Sequence, residues 1–283
     1  MLIDLHTHSN VSDGTDTPSE LVTAAVRAGL GAMALCDHDT MDGVPQAQEA
    51  GRQAGVAVLR GLEMSTQLGG ETVHLLGYGC NPDDAALSAA LTAVREGREQ
   101  RVPSIVSALQ ASGLAITVDD VLRQAASSAT VGRPHVADAL VALGIVPSRR
   151  EAFDIWLEQG RPGYVGHLRI PLDQGMALIN GAGGVAVLAH AWGRGTRQVL
   201  KPEVIAWLAA EAGLDGLEVD HNDHGESDRA ALRGVATANG LIVTGSSDYH
   251  GFGKVSHELG CNTTSRRSYE AILALIAKRG GCP

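Results

Sequence analysis

Aromatic side chains are scarce in this chain: Phe, Trp and Tyr together make up 3% of its 283 residues. That excludes a core built on rings. The 44% of residues that are hydrophobic must pack as aliphatics, and the many alanines and 35 glycines let elements approach closely. Basic residues are outnumbered, with 22 Lys and Arg against 32 Asp and Glu and a formal net charge of −10. A general nucleic-acid-binding surface needs clustered Lys and Arg, so duplex nucleic acid is not expected as a partner. A small phosphorylated substrate stays open, because bound divalent ions reverse the sign of a site locally. No apolar run approaches the roughly 18 residues of a membrane span, and no cationic start followed by an apolar stretch marks a signal peptide. No membrane partner is expected. The four cysteines, Cys36, Cys80, Cys261 and Cys282, lack any C-x-x-C spacing, which points to a reduced, cytoplasmic setting rather than a disulfide framework.

What the chain does have is a short strand that carries imidazoles. Met1-Leu-Ile-Asp-Leu-His6-Thr-His8 alternates faces as a strand, so His6 and His8 point the same way and Ile3 and Leu5 the other. Asp13 follows after a short loop and can return a carboxylate to the same spot. Alone, H-x-H is a weak signal; surface histidine pairs are common.

Further along, Thr17-Pro18-Ser19-Glu20 forms a capping box with proline at the first helical position, and the helix it opens stops at Gly29. Apolar runs then alternate with helical stretches. They end at Asp37-His38-Asp39, Glu63, His190, Glu218-Val-Asp-His221 and Asp248-Tyr-His250, and His74 lies within its run. Residues 83–165 break the alternation and read mostly as helices, with Gly132-Arg133-Pro134-His135 inside. About seven strands alternating with helices predict an α/β fold with a parallel sheet, made by residues 1–82 and 166–283. The helical stretch 83–165 is then an insertion.

Charged or imidazole groups at the C-terminal end of nearly every strand match the place where a (β/α) barrel keeps its active site. Satisfied histidines and helix caps account for Asp37 or Asp42, but not for the whole set, because buried ionisable groups are costly unless paired or metal-bound. His, Asp and Glu without cysteine suit ions such as Zn, Mn or Fe. So many ligands exceed the needs of one ion, and clustered ions suggest hydrolysis at phosphorus.

These motifs together, His6-x-His8 with Asp13, Asp37-His38-Asp39, Glu63, His74, His190 and Asp248-x-His250, resemble the PHP (polymerase and histidinol phosphatase) family along essentially the whole chain. The resemblance implies a distorted (β/α)7 TIM-like barrel and three divalent ions. By it, His6, His8, Glu63 and Asp248 hold one ion, and Asp13, His38 and His250 a second. Glu63 bridges to a third, held by His74 and His190.

The Gly-Arg-Pro-His motif in a helical insertion resembles the subgroup acting on 3′,5′-nucleotide bisphosphates and short 5′-phosphorylated oligonucleotides. The activity implied is hydrolysis of a phosphate monoester by metal-bound hydroxide. Arg133 would clamp a phosphate through both guanidinium prongs, a reading preferred to that of a solvated arginine at a helix start. His135 would donate to the same phosphate or to the leaving oxygen, and Asp248 would take up a proton. His221 and His224 are candidate substrate contacts, Lys254 a weaker one; His167 and His257 match nothing in the pattern. Rival readings keep the metal site and change the substrate to a cyclic phosphate of a sugar, histidinol phosphate or a carbon–nitrogen bond. Proofreading in the manner of a polymerase fits a free-standing, acidic chain poorly. A silent scaffold predicts lost ligands, and none is lost here.

Overall fold

A computed structural model of the protein describes residues 1–125, 131–166 and 169–283. The strands are β1 (Leu2–Thr7), β2 (Leu30–Leu35), β3 (Ala57–Leu68), β4 (Glu71–Tyr78), β5 (Ile170–Pro171), β6 (Val185–Leu188), β7 (Gly216–Asp220) and β8 (Ile242–Gly245). The helices are α1 (Pro18–Arg27), α2 (Val44–Ala54), α3 (Ala85–Glu99), α4 (Arg101–Ala111), α5 (Val118–Ala125), α6 (Arg133–Ala142), α7 (Arg149–Ala152), α8 (Leu172–Gly181), α9 (Pro202–Glu211), α10 (Glu226–Ala238) and α11 (Arg266–Arg279). The chain divides into two compact units, Met1–Leu91 with Arg169–Pro283, and Thr92–Leu168.

In the first unit the strands form one eight-stranded sheet in the order β1-β2-β3-β4-β6-β7-β8, with β5 paired to β3 off this path. Most neighbours are parallel, but β4 runs antiparallel to both β3 and β6. The parallel sheet expected from the sequence is thus mostly parallel, with β4 the exception. The two-residue link Gly69–Gly70, both at positive φ, makes β3 and β4 a hairpin, which only antiparallel strands can use. No ladder closes β8 onto β1. One isolated parallel bridge, Thr7 to Tyr249, and the bonds from His8 N–H to the Tyr249 carbonyl (2.8 Å) and from Asp248 N–H to the His6 carbonyl (2.9 Å) bring the two edges together.

Local signals decide the helices. Thr17 Oγ1 accepts from Glu20 N–H while Glu20 Oε2 accepts from Thr17 N–H (2.9 Å), so the capping box starts α1 as written in the sequence. Gly55, at φ 76°, stops α2 in the left-handed region that glycine adopts without strain. Leu21, Val22 and Ala25 of α1 and Val44 and Ala47 of α2 bury against Met33 and Leu35 of β2. Ile272 and Ile276 of α11 bury with Ile3, Leu5, Leu76, Tyr78 and Val187. Each fully buried aliphatic side chain is worth about 1.5–3 kcal/mol, so these aliphatic layers supply what rings do elsewhere.

Gly79 shows how close the packing is. It lies at φ 69°, and a Cβ there would meet Ile276 Cδ1 at 2.5 Å. Gly79→Ala is expected to cost about 1–3 kcal/mol, through overpacking and the strained φ together. A urea midpoint that falls at unchanged slope is the check.

The second unit has its own core, in which Ile105, Leu109, Val121, Val136, Leu140 and Leu157 are buried among α4, α5, α6 and the turn Phe153–Leu157.

Candidate metal centre

Three devices aim the site residues. The first is a bulge in β1, where Asp4 to Thr7 spans three steps against two on β2, from Met33 to Leu35. The extra residue re-aims the strand end and brings the His6 and His8 rings to 5.0 Å between centroids. Second, Asp37 accepts from Ser9 N–H (2.8 Å), Ser9 Oγ–H (2.7 Å) and Ser12 Oγ–H (2.7 Å), which folds the loop back and returns Asp13 to the imidazoles.

Third, Asp39, His190 and Asp248 hold positive φ, at 55°, 29° and 54°. Such backbone costs on the order of 1–3 kcal/mol per residue and persists where neighbours enforce it. Ser65 N–H (2.7 Å) and Oγ–H (2.9 Å) hold the Asp39 carboxylate, and Glu218 Oε2 accepts from His190 N–H at 2.6 Å.

Glu63, buried at the middle of β3, is the hub. Its Oε2 lies 3.3 Å from His6 Nε2, 3.2 Å from His8 Nε2 and 3.2 Å from His38 Nδ1. Its Oε1 lies 2.8 Å from His74 Nδ1 and 3.1 Å from His190 Nε2. Asp248 Oδ1 faces His6 Nε2 (3.6 Å) and His8 Nε2 (3.4 Å). Asp13 reaches His38 Nε2 (3.5 Å) and His250 Nε2 (3.3 Å). Every one of the nine residues His6, His8, Asp13, His38, Glu63, His74, His190, Asp248 and His250 therefore converges on one place.

The fit to metal ions can be tested on hydrogen bonding. His6 Nε2, both ring nitrogens of His8, His38 Nδ1, His74 Nδ1 and Asp248 Oδ1 are buried without a hydrogen-bond partner of acceptable geometry. Buried polar groups are normally satisfied, and these face one another in sets with the spacing of ligands. His6, His8, Glu63 and Asp248 make one set, His8, Asp13, His38 and His250 a second, and His38, Glu63 and His74 a third. Imidazole and carboxylate donors fit divalent ions of the Zn, Mn or Fe type.

Electrostatics agree with the geometry. Burial alone would raise Glu63, but His74, His38 and His6 hold its carboxyl well below the usual range. Burial drives His38 down to about 3 and His190 to about 4, the neutral form that ligates metal. In His8, burial is outweighed by the nearby Asp248 and Glu63 carboxylates, and the imidazole rises to about 9.

Glu218, read from the sequence only as a strand-end acid, supports the centre from behind. Its Oε1 accepts from His6 Nδ1–H at 3.0 Å and from Ser246 Oγ–H. This fixes the His6 proton on Nδ1 and turns Nε2 toward Glu63 and Asp248. Burial would raise Glu218, but His6 and His221 hold it far below the ordinary value. Glu218→Gln is expected to weaken metal affinity about 10–100-fold while leaving every ligand in place, as read by competition with a chelator.

The substrate-contact candidates separate. His221 is buried, and its Nδ1 accepts from Asp223 N–H (3.0 Å), so its proton sits on Nε2, 3.2 Å from Asp248 Oδ2. His224 is buried with both nitrogens committed, Nε2 accepting from Trp192 N–H (3.1 Å) and Nδ1 donating to the Val219 carbonyl (2.8 Å). That leaves no ring atom for a ligand, and the contact expected of His224 is corrected to a staple between two loops. His257, without a role in the sequence pattern, is buried near His221 and Asp248, its Nδ1 2.6 Å from the Ser247 carbonyl.

Arg133 and His135 begin α6 in the second unit. The Arg133 guanidinium lies 5.9 Å from the Phe153 ring centre and 6.0 Å from that of Tyr164. Gly132 N–H donates to His135 Nδ1 (3.1 Å), which leaves the proton of a neutral His135 on Nε2. His167 lies outside the described residues. Arg194 was not legible: its loop Gly193-Arg194-Gly195 has no periodicity, yet its Nη2 donates to Asp248 Oδ2 at 3.0 Å. Lys254 Nζ donates to the same oxygen.

A model of the PHP domain matches residues 4–124. A 3′,5′-nucleoside bisphosphate phosphatase of Chromobacterium violaceum is 36% identical over 258 residues, covering 91% of this chain and 90% of its own length. A 5′-3′ exoribonuclease of Haemophilus influenzae is 31% identical over 252 residues, 87% and 89% of the two chains. A solved structure from Bifidobacterium adolescentis, classed with the metal-dependent phosphoesterases, superposes with a TM-score of 0.77 at 36% identity over 96% of both chains. The chain belongs to the PHP family. It is a metal-dependent phosphoesterase, a hydrolase of ester bonds. Among the described residues no helix is long and apolar enough to cross a membrane.

Proposed function

We propose that this enzyme removes a phosphate from a small nucleotide, a 3′,5′-bisphosphate such as adenosine 3′,5′-bisphosphate, and extends to short 5′-phosphorylated oligonucleotides. The observation that carries the reading is the set of buried, unpartnered imidazole and carboxylate atoms around Glu63 and Asp248. The bisphosphate phosphatase and exoribonuclease relatives support the nucleotide. We read the sheet as a distorted seven-stranded barrel whose β1 and β8 edges meet at Thr7 and Tyr249, with the site at its C-terminal mouth. The four free cysteines support a cytoplasmic setting.

His6, His8, Glu63 and Asp248 would hold one divalent ion, Asp13, His38 and His250 a second, and Glu63, His74 and His190 a third. Such ions, when bound, supply Lewis acidity and an acidified water at neutral pH. The protein's own groups do the rest. Glu218 and His221 fix His6 and Asp248 in the tautomer and orientation the centre needs. Asp248 takes up the proton released on attack at Oδ2, the oxygen turned away from His6 and His8. On the strength of the Gly132-Arg133-Pro134-His135 motif alone, Arg133 would hold phosphate oxygens of the substrate by its two prongs, and His135 would donate to the leaving oxygen.

The test is phosphate release by Mn-loaded protein from adenosine 3′,5′-bisphosphate, a 5′-phosphorylated dinucleotide, a sugar cyclic phosphate and histidinol phosphate, each beside Arg133→Ala. Rapid release from the bisphosphate, lost in the variant, is expected. Turnover confined to the cyclic phosphate or histidinol phosphate would keep the metal centre and overturn the substrate.

A further inference from the structure

Asp248 has two unlike faces. Oδ1 turns inward to His6 and His8. Oδ2 is met by Arg194 Nη2 (3.0 Å), His221 Nε2 (3.2 Å) and Lys254 Nζ. The metal-ligand candidates are largely buried, whereas the Arg194 side chain is 41% exposed and that of Lys254 23%. Two cations therefore stand at the rim on the side of the carboxylate that faces away from His6 and His8. Asp223 Oδ2 braces Arg194 from outside, 3.4 Å from its Nε. Arg194 itself is held at φ 55° between two glycines, a backbone state that a non-glycine residue adopts at a cost. In a chain with ten more acidic than basic residues, a cationic pair facing a hydrolytic centre calls for an anion.

The reacting phosphate already has the metal centre to neutralise it. We infer that Arg194 and Lys254 form a subsite for a second anionic group, the phosphate of a bisphosphate that is not hydrolysed. This rests on the phosphoesterase reading and deepens it. Arg194 offers a planar fork that matches phosphate oxygens, and Lys254 a point charge beside it. The arrangement selects substrates with two phosphates over those with one and releases Asp248 Oδ2 from its two cations when the substrate sits.

The experiment compares kcat and KM for adenosine 3′,5′-bisphosphate and for adenosine 3′- and 5′-monophosphates in metal-loaded wild type, Arg194→Gln and Lys254→Gln, with metal content measured in each. Either glutamine variant is expected to lose about 10–100-fold in kcat/KM on the bisphosphate, mostly in KM. Losses under about threefold are expected on the monophosphates, a step made without the second contact. Arg194→Lys should restore part of the preference. Calorimetric affinity for the adenosine monophosphate that the enzyme forms as product should fall in the same variants.

Equal losses on all three substrates would overturn the subsite and move both cations to the reacting phosphate or to a structural role. So would loss of bound metal that accounts for the change, or unchanged rates. A wild type that hydrolyses mono- and bisphosphates equally well overturns the subsite and leaves the phosphoesterase standing. A wild type without any phosphoester turnover overturns the underlying reading first.

Discussion

Glu63→Gln is expected to lower phosphate release by about three orders of magnitude, the scale on which removal of a charge-stabilising group from a hydrolytic site is felt. No other side chain among the described residues touches five imidazoles. Oε2 serves His6, His8 and His38, and Oε1 serves His74 and His190. Glutamine keeps the shape but replaces one acceptor oxygen with an N–H₂ group and removes the charge. One of the two groups of histidines must then face a donor, and two of the three ligand sets lose an anionic member. The expected signature is loss of bound metal by elemental analysis with circular dichroism unchanged. A variant that keeps its full metal content and its rate would contradict the hub role.

Removing the metals should have the second largest effect, and it carries a pH signature. Ions that bind only the folded chain stabilise it by about 2.7 kcal/mol at one hundred times their dissociation constant. For a chain of this size about 2–4 °C of melting temperature corresponds to each kcal/mol, so chelation should lower it by roughly 5–10 °C.

In the chelated protein, burial lowers His6 and His8, but neighbouring carboxylates more than reverse this. For His6 these are Glu218, Glu63 and Asp248, and for His8 they are Asp248 and Glu63, which lift it from 6.5 to about 9. A histidine raised on folding contributes stability that is full below its unfolded pKa and lost as pH climbs through the folded one. The chelated protein should therefore melt progressively lower between pH 6.5 and 9. Metal must displace those protons, so its affinity rises with pH, and the gap between loaded and chelated protein should widen. Melting curves at several pH values decide it. A gap that narrows with rising pH would count against the assignment of His6 and His8.

Much of this site could be read from the chain, because strand alternation and strand ends are local properties. His6 and His8 share a face because side chains alternate, and the capping box at Thr17 needs only four residues. The bulge between Asp4 and Thr7 was not legible, since an extra residue in a strand has no signature in alternation alone. Nor was the direction of β4: a buried apolar strand reads the same either way, and only the Gly69–Gly70 link hints at a hairpin. β5, two residues long, has no periodicity to detect.

His224 looked like a ligand contact because sequence gives no view of which backbone groups a histidine meets. Its two nitrogens went to Trp192 and Val219. Arg194 was invisible because its importance lies in contact with Asp248, 54 residues away. Glu218 stood at a strand end like the ligands, and only the 3.0 Å contact to His6 Nδ1 places it behind one.

On the proposed function, the buried His, Asp and Glu set around Glu63 and Asp248 is a metal centre that hydrolyses a nucleotide phosphate. Its most direct test is to strip the protein with a chelator and titrate back Mn while following phosphate release from adenosine 3′,5′-bisphosphate. No release is expected from the stripped protein, and a rate that climbs with each ion bound until the sites are filled. Release that is already maximal in the stripped protein, or none at full metal content, would contradict it.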